Sequence, residues 1–177
     1  MSENEGTTSF LDRVRWALVT AGGLGHLRPA PGTWGSIPPV VLAAALLLLT
    51  TGSVQYHLIL LGVFLLFCLA CLAWGQWAEG RFGRKDPRHV VADEVAGQCV
   101  ALAAPPAIAE PLTLDGGLTI VAYCSAAFLL FRIFDIIKPP PAHSLQRLKG
   151  GAGILVDDLL AGLFALGVIQ GVMYLLR

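Results

Sequence analysis

The chain has 177 residues, of which 55% are hydrophobic and only 14% are charged, and its mean hydropathy is +0.70. Twelve Lys and Arg residues balance twelve Asp and Glu residues, so the zero net charge gives no reason to expect a nucleic-acid partner. A soluble domain of this size carries about a quarter charged residues. The composition therefore predicts a small integral membrane protein, with residues 1–177 forming a single domain and residues 1–15 forming a flexible or surface-lying segment.

Five hydrophobic segments are predicted to form membrane-associated helices. Residues 37–51 and 58–75 are uniformly apolar, and the second has the length of about 18–20 residues that a bilayer core requires. Three later segments carry acidic residues at or inside one end, namely residues 94–109, 118–137 and 153–176. The prediction is a compact, all-α, multi-helical membrane bundle, with the full crossing of 37–51 and 94–109 left open.

The basic residues predict an orientation, since cytoplasmic loops of membrane proteins carry the excess of Lys and Arg. With a cytoplasmic N-terminus and five crossings, eleven of the twelve basic residues fall on the cytoplasmic side, and Arg177 falls outside. The same topology brings the acidic ends of the three later helices to the cytoplasmic face. We therefore expect a functional site at that face.

The segment LGHLRPAPGTWGSIPP, residues 24–39, is predicted to be a turn that precedes the first helix. Gly32 and Gly35 leave backbone N–H groups approachable, and Thr33 and Ser36 supply hydroxyls. Ser36 is predicted to cap a helix whose first turn contains Pro38. Because free N–H groups at a helix N-terminus bind anions, Thr33, Gly35 and Ser36 are candidate phosphate ligands. The alternative is a plain glycine and proline turn into a membrane helix.

The segment HVVADEVAGQ, residues 89–98, places Asp93 and Glu94 at the start of a helix, where the helix dipole favours negative charge. A capped helix with no further role is the alternative. Gly97 lies on roughly the same face as Glu94 and would allow another helix to approach closely.

The segment FRIFDIIKPPP, residues 131–141, spaces Arg132, Asp135 and Lys138 by three residues, so that they follow one side of a helix. One interpretation is a basic anchor at the membrane boundary with an internal ion pair. The other is a phosphate and metal site, in which Arg and Lys hold phosphoryl oxygens and Asp holds a divalent cation.

The segment GGAGILVDDLLAG, residues 150–162, places Asp157 and Asp158 side by side in an otherwise apolar run. A carboxylate at bilayer depth costs a few kcal/mol, about 3 on insertion scales, unless it is paired. Two carboxylates followed by the small residues Ala161 and Gly162, which let helices pack closely, favour metal ligands within a bundle.

Two other classes of protein also place carboxylates inside membrane helices. A small ion or metal transporter would hold them near the bilayer midplane on a water-lined path, and a structural subunit would pair them within the bundle. This sequence instead gathers its acids at one face, beside Lys, Arg and a Gly-Pro segment. The transporter remains the alternative to an enzyme.

Four motifs, in this order, resemble those of the bacterial phosphatidylglycerophosphatase A family: APGTWGS (30–36), DEVAGQ (93–98), FRIFDIIKPPP (131–141) and GGAGILVDDLLAG (150–162). The resemblance implies a magnesium-dependent lipid phosphatase in the bacterial cytoplasmic (inner) membrane. It would hydrolyse the terminal phosphomonoester of phosphatidylglycerophosphate to phosphatidylglycerol and phosphate, in glycerophospholipid biosynthesis. Membrane lipid is the implied partner; no obligatory protein partner is expected, and a homo-oligomer is left open.

For such a reaction we expect Mg²⁺ to be held by carboxylates that leave it several waters. The expected metal ligands are Glu94, Asp135, Asp157 and Asp158. The expected phosphate ligands are Lys138, Arg132, Thr33, Ser36 and Gly35. The expected catalytic residues are Asp93, Asp135 and Asp158, with Asp93 orienting or deprotonating the attacking water. An aspartyl-phosphate intermediate is disfavoured because the DxDxT nucleophile motif is absent.

Overall fold

The computed structural model describes residues 9–49, 52–107, 111, 113–140 and 151–175. Within those ranges the secondary structure is entirely helical, which confirms the predicted all-α fold. The helices are α1 (Phe10–Val19), α2 (Pro31–Leu48), α3 (Ser53–Phe82), α4 (Ala92–Ala101), α5 (Leu114–Ile137) and α6 (Gly151–Leu175), with a short 3₁₀ turn at Leu24–His26.

Four of these helices, α2, α3, α5 and α6, are long and apolar enough to cross a membrane. Large apolar side chains point outward from them; Leu69, Val121 and Leu163, for example, are 63%, 63% and 53% exposed. Water would disfavour so much exposed apolar surface, whereas lipid tails would cover it. The observed architecture is that of a membrane protein.

Helix α4 corrects one sequence prediction. Residues 94–109 were expected to form a membrane-associated helix, but the observed helix ends at Ala101. Its ten residues span about 15 Å, half of the roughly 30 Å hydrocarbon core. Pro105 and Pro106 follow about one turn later, and proline disfavours continuation of a helix because it lacks an N–H donor. Helix α4 is therefore a short helix held inside the bundle, where it packs against α6, α3 and α2.

Helix α2 corrects a second prediction, because it begins at Pro31 and includes most of the segment expected to be a turn. Pro31 occupies the first helical position, where its fixed φ suits a helix and its missing N–H is not needed. Ser36 is not the N-cap, since its hydroxyl donates within the helix to the carbonyl oxygen of Gly32, 2.8 Å away. Pro38 and Pro39 lie inside the helix, as membrane-type helices tolerate.

One end of the bundle collects the start of α2, the end of α3, the start of α4, the end of α5 and the start of α6. We call this the acidic end, because it carries Asp93, Glu94, Asp135, Asp157 and Asp158. The other end, around Tyr56, Leu102 and Gln170, is called the distal end. The prediction that three separate helices bring their carboxylates to one end is confirmed.

Helices α4 and α6 cross in backbone contact, which sets the geometry of the acidic end. A Cβ atom added to Gly97 would lie 2.6 Å from the carbonyl oxygen of Asp158, and one added to Gly162 would lie 2.3 Å from the carbonyl oxygen of Gly97. Both distances are shorter than any real side chain accepts. The two glycines, whose role in close packing was predicted, therefore bring Asp158 up to the start of α4.

The N-terminal helix α1 packs on α3 and leaves Phe10 and Leu11 exposed. Residues 10–15 of the predicted flexible or surface-lying segment thus belong to a helix, whereas residues 1–8 lie outside the described residues. The chain after α1 is joined to the segment before α4, because the Val91 N–H donates to the carbonyl oxygen of Val19, 2.9 Å away.

Candidate active site

A cavity of about 260 Å³ opens at the acidic end, far larger than the roughly 15 Å³ that admits one water molecule. It is lined by residues from α2, α4, α5, α6 and the loop between α3 and α4. Its charged lining from the predicted site comprises Asp93, Glu94, Asp135, Asp157, Asp158 and Lys138. All five predicted acidic residues therefore face a single cavity.

Three of these carboxyl groups form a compact cluster. One oxygen from each of Asp93, Glu94 and Asp158 lies within 4.8 Å of the other two. Asp93 is 7% exposed and Asp158 is 3% exposed. Among the described residues, Asp93 Oδ1, Glu94 Oε2 and Asp158 Oδ2 are buried and have no hydrogen-bond partner. Buried polar atoms are nearly always satisfied, so this cluster fits a cation that the carboxylates would share.

Burial also changes the acidity of the two cluster residues on α4. Desolvation, followed by repulsion from neighbouring carboxylates, raises the pKa of Asp93 well above its usual range. Desolvation is likewise the main cause that raises the pKa of Glu94 to about 8. A bound cation would reverse both shifts, because nearby positive charge favours the carboxylate form.

Two cations balance the outer carboxylates of the cavity. Arg132 Nη1 lies 2.8 Å from Asp135 Oδ2, and both side chains are mostly buried. Lys138, at the end of α5, forms an ion pair with Asp157 on α6. The spacing of three residues predicted the first pair, whereas the second joins two helices and depends on the tertiary fold. Lys138 lines the cavity itself, and Arg132 lies behind it.

The first turn of α2 approaches the cluster through Gly32. A Cβ atom on this residue would lie 2.3 Å from Glu94 Oε1 and 2.9 Å from Arg132 Nη1. A side chain at this position would displace the ends of Glu94 and Arg132 from the start of the helix. The positive dipole end of α2 therefore lies next to the carboxylates.

The remaining predicted phosphate ligands do not line the cavity. Gly35 is packed against Val91, whose Cβ would lie 2.6 Å from an added Cβ atom. Ser36 is fully buried and bonded to Gly32 within the helix. Thr33 is half-buried on the same helix. The structure thus places Thr33, Gly35 and Ser36 where they support the first turns of α2.

Gly32, whose approachable backbone was noted in the sequence, lines the cavity from α2 together with Pro31. The cavity also has lining residues that were not selected from the sequence, because Arg84, Asp86 and Arg88 contribute from the loop between α3 and α4. The two arginines were counted only as part of the charge asymmetry. Their position just ahead of Asp93 in the sequence is the one signal that could have linked them to the site.

The arrangement is suited to phosphoryl chemistry. Buried carboxylates with unsatisfied oxygens are ligands that Mg²⁺ prefers, and Lys and Arg beside them can hold the oxygens of a phosphate group. Phosphoryl transfer needs little more than charge neutralisation and an aligned nucleophile. The cavity brings these groups together at one end of a membrane bundle.

Comparisons with known proteins agree with this chemistry. The family model of Phosphatidylglycerophosphatase A matches residues 17–173. The Phosphatidylglycerophosphatase A of Haemophilus influenzae is 36% identical over 159 residues, which cover 89% of this chain and 87% of the relative. That of Escherichia coli is 31% identical over 156 residues, covering 87% and 81%.

A third relative carries a different name. The "Putative phosphatidylinositol-3-phosphatase" of Bacteroides thetaiotaomicron is 34% identical over 152 residues, covering 84% of this chain and 86% of the relative. No solved structure matches the chain. The family match extends from the end of α1 almost to the end of α6 and so includes every residue of the cavity. The chain is a phosphatase and belongs to the phosphatidylglycerophosphatase A family.

Proposed function

We propose that the protein hydrolyses the terminal phosphomonoester of phosphatidylglycerophosphate, with Mg²⁺ held by the carboxylates of the cavity. The observation that carries the proposal is the cluster of Asp93, Glu94 and Asp158, whose buried oxygens meet within 4.8 Å and include three without a partner among the described residues. Such a cluster is unfavourable in a metal-free protein. A divalent cation would neutralise the repulsion between the three carboxylates and so explain why they are buried together.

The proposed ligands of Mg²⁺ are Glu94 and Asp158 from the cluster, with Asp135 and Asp157 from the adjoining wall of the cavity. Bound there, the ion would supply positive charge to the phosphoryl oxygens and lower the pKa of a bound water. Waters would complete the coordination, since Mg²⁺ gives up its hydration reluctantly.

The protein's own groups would position the phosphate and the nucleophile. Lys138 lines the cavity and would contact phosphoryl oxygens, and Arg132 would reinforce this positive side through its pair with Asp135. Asp93 lines the cavity as well and, as a carboxylate, would accept a proton from the attacking water. Thr33, Gly35 and Ser36 would act indirectly, by holding Gly32 and the N-terminus of α2 beside the site.

The orientation is also part of the proposal. Arg81 in the last turn of α3 and the loop residues Arg84, Lys85 and Arg88 lie at the same end of the bundle as the cavity. Since positive charge is retained on the cytoplasmic side, we infer that the cavity opens to the cytoplasm of a bacterial inner membrane. Its product, phosphatidylglycerol, would then enter glycerophospholipid biosynthesis.

A second candidate substrate follows from the Bacteroides relative, whose name indicates phosphatidylinositol 3-phosphate. This lipid also presents a phosphomonoester on a polar headgroup. The two lipids therefore belong in the same assay, and their relative rates would define the headgroup that the cavity accepts.

The test is phosphate release by the purified, detergent-solubilised protein from each of these lipids, with Mg²⁺ and with EDTA. We expect release from phosphatidylglycerophosphate that requires Mg²⁺ and returns when Mg²⁺ is restored after EDTA. Phosphate release that is unaffected by EDTA would contradict the proposed requirement for Mg²⁺. No release from either lipid, together with cation flux into proteoliposomes, would favour a transporter.

A further inference from the structure

Two arginines at the rim of the cavity have no role in the proposed hydrolysis. Arg84 and Arg88 both line the cavity, and both are exposed. In the described part of the chain neither makes an ion pair within 4 Å, whereas Arg132 and Lys138 are each paired with an aspartate. Asp86 lies between them and offsets one charge, so the three residues leave the rim with a net positive charge.

The loop that carries these arginines is fixed to the rest of the fold. The Val90 N–H donates to the carbonyl oxygen of Pro87, 2.9 Å away, and Pro87 is buried. A Cβ atom on Gly25 would lie 2.0 Å from the carbonyl oxygen of His89, so the 3₁₀ turn packs directly on the loop backbone. The arginines therefore project from a supported segment, which favours a binding role over a solvated charge run.

The cavity thus has two regions of different character. Its interior holds the buried carboxylates and the paired Lys138, whereas its rim presents two guanidinium groups that form no ion pair with any described residue. A ligand that matches both regions carries one phosphate for the interior and a second anionic group some atoms away. Arg is well suited to the second group, because its planar fork binds phosphate oxygens through two parallel hydrogen bonds.

We propose that Arg84 and Arg88 bind the phosphodiester of the lipid substrate while its terminal phosphomonoester lies against the carboxylates. The inference rests on the proposed function and deepens it by assigning the specificity of the same site. In phosphatidylglycerophosphate a glycerol unit separates the two phosphates, so the diester follows the scissile group on the way back to the bilayer. The rim arginines therefore select lipids that carry a diester behind the monoester.

A consequence is discrimination against phosphatidic acid. Its phosphomonoester is attached directly to diacylglycerol. Phosphatidic acid therefore has a phosphate for the interior but no phosphodiester for the rim arginines. Binding energy from the rim is present in both the bound substrate and the transition state, so its loss raises KM more than it lowers kcat.

The experiment compares the wild-type protein with the double variant R84M/R88M in mixed micelles of phosphatidylglycerophosphate. We expect KM to rise at least about tenfold, as the loss of charge-assisted hydrogen bonds implies, with kcat changed less than about threefold. Inorganic phosphate is the second probe, because it reaches the interior alone. Its inhibition constant should stay the same in the double variant.

The matched control is R81M, which removes an exposed arginine of α3 that does not line the cavity, and its KM should equal that of the wild type. R84K/R88K keeps both charges and should recover part of the affinity. An unchanged KM in R84M/R88M would overturn the inference, and so would a parallel rise in the inhibition constant of phosphate, which would assign the arginines to the scissile group. Failure of the proposed function has a separate signature, namely no phosphate release by the wild-type protein.

Discussion

The carbonyls that follow α4 at the distal end and the carboxylates at the acidic end are in opposite states. At the distal end, side chains satisfy these carbonyls: the Tyr56 hydroxyl donates to Leu102 O at 2.8 Å, and Gln170 Nε2 donates to Ala104 O at 2.8 Å. At the acidic end, carboxylate oxygens of Asp93 and Asp158 are buried without a partner among the described residues. The satisfied carbonyls stabilise the fold, whereas the unpartnered carboxylate oxygens fit a shared cation.

Helix α4 connects these two states. It stops within the bundle, and a helix that ends at membrane depth must have its terminal carbonyls satisfied by protein. Its other terminus places two acidic residues in the first turn, where the dipole favours negative charge. We infer that the distal end holds α4 in place, whereas the acidic end carries the residues that act in catalysis. Substitutions at the distal end should therefore change stability, and substitutions at the acidic end should change activity.

The largest expected effect is on catalysis at the acidic end. Asp158→Asn keeps the size of the side chain but removes a proposed metal ligand, so kcat should fall by at least about 10³-fold, equivalent to several kcal/mol of transition-state stabilisation. Asp115→Asn makes the same chemical change at an exposed position in the first turn of α5 and should leave kcat unchanged. Phosphate release from phosphatidylglycerophosphate measures both. Full activity in Asp158→Asn would show that Asp158 is not a metal ligand in catalysis.

A smaller loss is expected where α4 crosses α6. Gly97→Ala would place its methyl group 2.6 Å from the carbonyl oxygen of Asp158, so the helices must separate. Overpacking of this kind costs about 1–3 kcal/mol in the free energy of unfolding. Displacement of the carboxylates by about 1 Å can lower kcat by about 10²-fold.

The control for this change lies further along α6. A Cβ atom on Gly167 meets nothing within 4 Å, so Gly167→Ala should keep the activity of the wild type and should not lower its melting temperature. Equal behaviour of the two alanine variants would show that the close crossing does not position the site. Thermal unfolding and phosphate release, measured on the same preparations, distinguish these results.

The smallest effect on activity is expected at the distal end. Tyr56→Phe removes the hydroxyl that satisfies Leu102 and should lower the free energy of unfolding by about 1 kcal/mol, with kcat unchanged. Tyr174→Phe removes the same atom from a side chain that is 77% exposed and should change neither property. A kcat that falls with Tyr56→Phe as far as with Gly97→Ala would contradict the separation of the two ends.

The sequence predicts the fold class, the long apolar helices and the convergence of all five carboxylates well. Long apolar segments indicate helices in lipid whatever their tertiary contacts are. Carboxylates within such segments are energetically costly, so each one indicates a functional position. Close packing at Gly97 and Gly162 was also predictable, since small residues in a membrane helix commonly mark a contact with another helix.

The start of α2 and the end of α4 were predicted less well, for one physical reason. The motif PGTWGSIPP contains the residues that end helices in water, yet Pro38 and Pro39 lie inside α2. Neighbouring helices compensate for the lost backbone bonds, and this information is tertiary. Conversely, apolar residues beyond Ala101 extend the hydrophobic run after the helix has ended.

The rim of the cavity could not be predicted because its residues have no periodicity. Arg84, Asp86 and Arg88 lie in a loop, where neither helical spacing nor hydropathy indicates which side chains face a cavity. The ion pair between Lys138 and Asp157 was equally hidden, since it joins two helices. Both features appear only when the helices are packed together.

The central claim is that the cluster of Asp93, Glu94 and Asp158 is held together for a divalent cation, and thermal unfolding of the wild type and Asp158→Asn in EDTA and in Mg²⁺ tests it most directly. In EDTA the variant should melt no lower than the wild type, because it removes one buried carboxylate from a repelling cluster. Saturating Mg²⁺ should then raise the melting temperature of the wild type alone, since only a ligand that binds the folded state stabilises it. A variant that melts lower in EDTA, with no response of the wild type to Mg²⁺, would contradict the claim and make Asp158 a structural residue.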